Sequence, residues 1–335
     1  MVPSKSRTSL LAIVLVAIVT IGGVGSYLAF HQQPGIQITT TTSAVTTIPS
    51  TQIITQPRLY RLYGKLFSDY NGNGKQEKNE PPVPDVTVAL NGANLTTTNA
   101  TGCYIISEVT EGLHRVRIFP PSRFRYMCES AAEFRTVQAS YEVLVSNDTR
   151  KDIGLMEGFL TLPFLSSASV RGEPYYVDLD LGPEMRDWKG GKRVGHDNHY
   201  GIDYDMPEGE SIVAPAPGVV IEAEGNWPNV SKDPNLGLWD DGNRVVVNHG
   251  RVGPYNRDFY TIYCHLKKVL CTVGQRVSRG EKIAESGNTG AKTGGPHLHF
   301  QCGGFGLRRV DPYRDLLNPS SVSYWTRDND PQFPQ

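Results

Sequence analysis

The chain has 335 residues, room for two ordinary domains plus accessory segments, and a formal net charge of −1. That balance excludes the global basic field of a nucleic-acid binder, and no nucleic-acid partner is expected. With 34 glycines, 23 prolines and little sustained helical periodicity, the expected fold class is mainly β.

Residues 1–30 read as a membrane segment. Lys5 and Arg7 precede an uncharged apolar run, Leu10 to Phe30, and the next arginine is Arg58. About 20 helical residues cross a bilayer core. The charge asymmetry puts the N-terminus inside and the rest of the chain outside. Two readings stay open: a single-pass signal anchor, or a cleaved signal peptide with Leu10 to Ile21 as its apolar region. Both export the remainder, to the cell membrane or beyond it.

Residues 31–57 are expected to be a linker, because the stretch from 35 onward is uncharged and rich in Thr, Ser and Pro. Four glycosylation sequons, at Asn94, Asn99, Asn147 and Asn229, agree with an exported chain. The cysteines are Cys103, Cys128, Cys264, Cys271 and Cys302, with no close pair of the zinc-binding kind. In an oxidising compartment Cys103 with Cys128, and Cys264 with Cys302, are candidate pairs.

Residues 58–156 alternate apolar and polar positions in short runs between turn signals: "VTVAL" (86–90), "CYIISEV" (103–109), "HRVRIFP" (114–120) and "SYEVLVS" (140–146). This predicts a small antiparallel β-sandwich. Inside it lies "DYNGNGKQEKNE", 69–80. Asp69, Asn71, Asn73, the Lys75 carbonyl, Glu77 and Glu80 occupy positions 1, 3, 5, 7, 9 and 12 of a calcium loop, with Gly74 at the sharp turn. Calcium is therefore a candidate cofactor, and a solvated polar turn is the alternative. Pro81 and Pro82 argue against a following helix. The stretch from Gly64 to Ile118 resembles the B-type repeat domains of Gram-positive surface adhesins. That resemblance implies a prealbumin-like sandwich with a calcium loop, used as a spacer or binding module.

Residues 157–320 hold six of the eight histidines, and 321–335 are expected to be a C-terminal tail. In "HDNHYGID" (196–203), His199 and Asp203 are ~13 Å apart on a straight strand, but a turn at Gly201 brings them to one ion. In "PHLHF" (296–300), His297 and His299 share a strand face ~6.5–7 Å apart. His265, in "FYTIYCHLKK" (259–268), alternates onto the same cavity. Two imidazoles and a carboxylate make a three-ligand site, which leaves a tetrahedral position for water, as catalytic zinc requires. Two histidines are left to handle protons or steady the oxyanion.

The stretches "HYGIDYDMPEGESIVAPAPGVVIEAE", "NRVVVNHG" and "YTIYCHLKKVLCTVGQRVSRGEKIAESGNTGAKTGGPHLHF" resemble the lysostaphin-type zinc endopeptidases, the glycyl-glycine endopeptidase family. The resemblance implies an antiparallel β-sheet peptidase with His199, Asp203 and His299 as zinc ligands. It makes His265 and His297 the catalytic histidines and a cell-wall peptide the substrate. It also implies that "GNTGAKTGG" walls a groove. Gln301 stands where many relatives carry Glu, and 226–241 looks inserted. His196 is a rival ligand, His249 is expected to be structural, and His31 and His114 have no partners in this constellation. The competing reading is an inactive surface binding or regulatory protein on the same fold.

Overall fold

The computed structural model describes residues 56–329, except 139, 179–185, 190–198, 228–240, 253–257, 291–292, 305–307 and 314–322. The apolar run Leu10–Phe30, His31, His196, Asn229 and nearly all of the 226–241 stretch lie outside the described residues. Among the described residues no helix is long and apolar enough to cross a membrane.

The N-terminal part is built from ten strands: β1 (Leu59–Ser68), β2 (Thr87–Leu90), β3 (Asn94–Thr97), β4 (Cys103–Thr110), β5 (Gly112–Phe119), β6 (Tyr126–Ser130), β7 (Glu133–Thr136), β8 (Tyr141–Val145), β9 (Thr149–Arg150) and β10 (Ile153–Met156). The four runs read from alternation are β2, β4, β5 and β8. In β5 residues 114, 116 and 118 are buried, and in β8 residues 141, 143 and 145, with exposed residues between them, the mark of a sheet with one wet face. One sheet has the order β4-β1-β10-β6-β7 and the other β3-β2-β5-β8. Their inner faces share a core of Leu62, Leu66, Val88, Val116, Ile118, Tyr141 and Ile153. The sandwich is not purely antiparallel as expected: β1 runs parallel to both β9 and β10. Between β1 and those late strands lie β2 to β8, a connection far longer than the dozen or so residues that parallel pairing needs.

The second part contains β11 (Ile202–Asp205), β12 (Ser211–Val213), β13 (Gly218–Glu224), β14 (Arg244–Asn248), β15 (Tyr260–Cys264), β16 (Lys268–Val269), β17 (Arg276–Val277), β18 (Lys282–Glu285), β19 (His297–Gly304) and β20 (Arg308–Val310). The main sheet has the order β11-β19-β15-β14-β13-β17, with antiparallel neighbours throughout and β20 added to β19. β12, β18 and β16 make a small separate sheet. One face of the main sheet is core: Ile202, Tyr204, Val245, Val247, Tyr263, Leu298 and Phe300 are all buried. Period-two alternation then turns Asp203, His297 and His299 to the opposite face.

The two parts belong to one unit, Thr55–Gln335. Tyr126, Cys128 and Met156 of the sandwich lie in the same apolar cluster as Phe159, Phe259, Tyr324 and Trp325. The stretch expected as a tail from 321 does not behave as one at 323–326, where every residue is buried. Trp325 is 1 % exposed, bridges to Leu160 and stacks on Phe300, which ties the 323–326 segment into the core. All five cysteines are free. The Cys264–Cys302 pairing fails because the register sets Cys302 opposite Thr261 and Cys264 opposite His299. Cys103 and Cys128 are likewise unpaired.

Candidate metal centre

β11 and β19 pair with Asp203 directly opposite His299. His265 follows β15, whose last residue, Cys264, also faces His299 across the ladder. Three adjacent strands therefore deliver four of the five polar groups to one sheet face, and His199 enters from the segment before β11.

His199 Nε2 lies 3.2 Å from Asp203 Oδ1 and 3.3 Å from His299 Nδ1, and His299 Nδ1 lies 2.7 Å from Asp203 Oδ1. Zinc bonds of ~2.0–2.1 Å at tetrahedral angles set ligand atoms about 3.3 Å apart, so two of the three separations already match and the third is contracted. Among the described residues this is the one group of His, Cys, Asp or Glu whose ligand atoms all lie within 4.8 Å of one another. Two imidazole nitrogens and a carboxylate oxygen are a donor set that suits zinc. All three side chains are 11–15 % exposed, so the centre is shielded but reachable.

Each imidazole is turned by a hydrogen bond from its far nitrogen. His199 Nδ1–H donates to the Tyr176 carbonyl at 3.1 Å, which turns Nε2 toward Asp203. His265 Nδ1–H donates to Thr289 O and His297 Nδ1–H to Gly295 O, both at 2.8 Å. The rings of His265 and His297 are 4.7 Å apart, and His297 Nε2 is 3.8 Å from Asp203 Oδ1. His265 has φ 59°, a region costly for a residue with a Cβ, and it is held there beside the centre.

The charges follow from this geometry. Burial opposes ionising Asp203, yet the His199 and His299 imidazoles beside it outweigh that and hold the carboxylate well below its ordinary range. Burial also pushes the His199 imidazole down, but Asp203 more than offsets it and the net shift is upward. Burial, with His297 and His299 adding, pushes His265 down to about 4, so it stays neutral near pH 7.

Gly201 bends the chain as expected, bringing His199 Nε2 within 3.2 Å of Asp203 Oδ1. It adopts no positive φ, and a Cβ there would lie 2.7 Å from His299 Nε2 and 2.7 Å from the Phe300 carbonyl. Close approach of β19 is what requires glycine. His249 is buried, donates from Nδ1 to Pro217 O and faces the Thr261 hydroxyl, a structural histidine. His114 bonds Asn91 and Thr110 O in the sandwich. Thr289 and Tyr176 act through backbone carbonyls, for which side-chain chemistry gives no signal in a sequence.

The calcium-loop residues stand apart from this centre. Asp69 and Glu80 are 2 % and 3 % exposed. Asp69 accepts from the amides of Gly72, Asn73 and Gly74, and Glu80 from those of Tyr70 and Glu77. Asn71 Oδ1 accepts from Asn73 N, Asn73 Oδ1 from Lys75 N, and Glu77 from the Asn73 side chain. Burial, with the Glu77 carboxyl beside it, pushes Glu80 up to about 7.

Residues 197–312 match peptidase family M23, and residues 62–152 match the SdrD B-like domain. The chain thus carries a peptidase family M23 domain of the lysostaphin type, preceded by an SdrD B-like domain. It is 40 % identical over 103 residues to peptidoglycan DD-endopeptidase ShyA of Vibrio cholerae, an alignment covering 31 % of this chain and 20 % of that protein. It is 38 % identical over 104 residues to glycyl-glycine endopeptidase ALE-1 of Staphylococcus capitis, covering 31 % and 24 %. The catalytic domain of lysostaphin from Staphylococcus simulans is similar at 26 % identity, covering 42 % of this chain and 88 % of that one, with a TM-score of 0.29. The chain spans about a fifth to a quarter of the length of the curated relatives it matches.

Proposed function

We propose that this chain is an exported zinc metalloendopeptidase that hydrolyses amide bonds in cell-wall peptides of the peptidoglycan type. The observation that carries the reading is the pairing of a three-ligand centre with two further imidazoles turned toward it. His199, Asp203 and His299 would hold a zinc ion, which when bound would supply Lewis-acid polarisation of water and of the scissile carbonyl. His265 and His297, anchored at Nδ1, present bare Nε2 atoms to the same space. One accepts the proton of the attacking water and returns it to the leaving amine; its neighbour steadies the oxyanion. The inactive binding-protein reading has no observation in its favour, since all five polar groups are present and oriented. Export rests on the uncharged Leu10–Phe30 run and is tested by protease access to the C-terminal domain in intact cells.

Elemental analysis of the full chain is expected to find about one zinc, lost in Asp203→Ala, and mass spectrometry of digested wall fragments to find new amine and carboxyl termini. Zinc retained by Asp203→Ala, or wall fragments left intact by the zinc-loaded protein, would sink the reading.

The 69–80 loop is further proposed to take calcium through Asp69, Asn71, Asn73, the Lys75 carbonyl, Glu77 and Glu80. Its support is the crowding of buried carboxyl groups that raises Glu80, which a divalent cation relieves. Extracellular modules of this kind bind at ~10⁻⁴–10⁻³ M, so full-chain melting must be followed to millimolar calcium. A response that survives Asp69→Ala with Glu80→Ala assigns the effect elsewhere.

A further inference from the structure

His299 is the one imidazole of the four whose orientation depends on a side chain. His199, His265 and His297 are each turned by a backbone carbonyl at Nδ1 and offer Nε2. His299 is reversed: its Nδ1 faces Asp203 and His199, and its Nε2 lies 2.9 Å from the side-chain amide of Gln301. Among the described residues, that amide is the only hydrogen-bond partner of His299 Nε2.

The reversal follows from the strand. His297, His299 and Gln301 lie at alternate positions of β19 and so share one face. The neighbouring β15 puts Ile262 opposite Gln301 and Cys264 opposite His299, and neither offers a charged or amide side chain there. Gly201, on the other side, leaves the space beside Nε2 clear. A neutral imidazole that gives Nδ1 to a metal must carry its proton on Nε2. In a shielded site that proton needs an acceptor. A side-chain amide presents either its oxygen or its nitrogen after a half-turn about its last bond. With the oxygen turned to the ring, Gln301 accepts the Nε2–H.

We propose that Gln301 is a positioning residue for the metal centre, fixing the tautomer and ring plane of His299 through its amide oxygen. The inference rests on the zinc-site reading above. Because Gln301 is uncharged, it orients His299 without adding a second carboxylate beside Asp203. Gln301 is itself part-exposed, so shortening it opens no buried cavity.

The test uses the full chain and measures zinc affinity by competition with a chromophoric chelator, together with the visible spectrum of the cobalt-substituted protein. Gln301→Ala and Gln301→Leu remove the acceptor and are expected to weaken zinc binding about 10–100-fold and to shift the cobalt bands, with the metal-free melting temperature unchanged. Gln301→Glu keeps an acceptor of the same reach and is expected to hold zinc at least as tightly as the parent. Parent-like affinity in both Ala and Leu variants, or a Glu variant as weak as they are, overturns the assignment. Asp203→Ala is titrated alongside. If it binds zinc like the parent, the zinc site itself has been misplaced and the role of Gln301 falls with it.

Discussion

His265 and His297 differ from the three ligands in what their neighbours ask of them. Each is tied at Nδ1 to a carbonyl and leaves Nε2 free to take or give a proton. On the proposed reading, replacing either with Ala removes a proton carrier and no metal bond. Hydrolysis is expected to slow by ~10²–10⁴ while zinc stoichiometry stays at the parent value, read by elemental analysis beside a peptide-cleavage assay. Loss of zinc in either variant would move that histidine into the ligand set. His249 makes a second residue-level case, one that concerns stability. Burial pushes it down to about 4 from an ordinary value near 6.5, and its neutral form is satisfied by Pro217 O and Thr261. Above pH 6.5 both folded and unfolded chains hold it neutral, and its contribution is complete. As pH falls toward 4, only the unfolded chain takes the proton, so stability declines by up to ~1.4 kcal/mol per pH unit from this group. Denaturant melts across pH 4–7 should therefore be shallower in pH for His249→Gln by about one proton; parallel profiles would refute the assignment.

At the scale of elements, the centre depends on the segment joining β18 to β19. Gly287 O accepts from the His297 amide, and Thr289 O anchors His265. Thr289 is locked in turn: its hydroxyl donates to Leu266 O at 2.9 Å and accepts from the Asn243 amide at 2.9 Å. Asn243 Nδ2 donates to the same Leu266 carbonyl. Thr289→Val keeps the shape and deletes the hydroxyl. The Asn243 amide then lacks a partner, at a loss of about 1–3 kcal/mol, and the His265 carbonyl anchor loosens. The expected outcome is a lower melting temperature with zinc content intact and kcat falling more than KM rises. Unchanged kcat would show that the lock serves stability only. Much of this centre was legible in the residue order, because catalysis uses side chains with unusual chemistry at strand-compatible spacings: His199 with Asp203, and His297 with His299. The lock was not, because it runs through backbone oxygens and ordinary Thr and Asn side chains brought together from distant strands. Gln301 was visible as a departure from its relatives, but its contact with His299 Nε2 needs the strand face to be known. The bend at Gly201 was legible, but the lack of room for a Cβ beside His299 needs the register to be known.

Across the whole molecule, the division at 156–157 read from composition does not describe how the chain holds together. Phe159 packs on Tyr126 and Phe134 from the sandwich and on Phe259 and Tyr324 from the peptidase part. Arg125 donates to Glu157 O at 2.7 Å and to Ser323 O at 2.5 Å, joining the sandwich to the 323–326 segment. Arg279 makes the other junction. In the sequence it lies in "VSRGEK", between β17 and β18. In the structure its Nε donates to Gly72 O at 2.7 Å, inside the proposed calcium loop, and its Nη1 donates to Phe159 O and Pro215 O. Gly72 has φ 73°, a left-handed conformation that favours glycine, and a Cβ there would lie 2.7 Å from the guanidinium carbon. The cation also sits near buried Asp69, lowering the energy of its ionised form against the burial that raises it. Hydrogen bonds from a charged donor contribute about 1.5–3 kcal/mol each, less what the carbonyls regain elsewhere. Gly72 O and Pro215 O have other donors, Cys128 and Thr161, so the loss falls mainly on Phe159 O. Arg279→Met keeps the stem and removes the three donors. A destabilisation of about 2–4 kcal/mol follows, and a drop of roughly 5–10 °C in melting temperature. The parent is expected to unfold in one calorimetric transition, because loop, sandwich and peptidase sheet share a core. In Arg279→Met the transition should move down and broaden as the loop loses its link to the β17–β18 turn. Two well-separated transitions in the parent, or an unchanged melt in the variant, would mean that the two parts fold independently and that Arg279 only decorates their boundary.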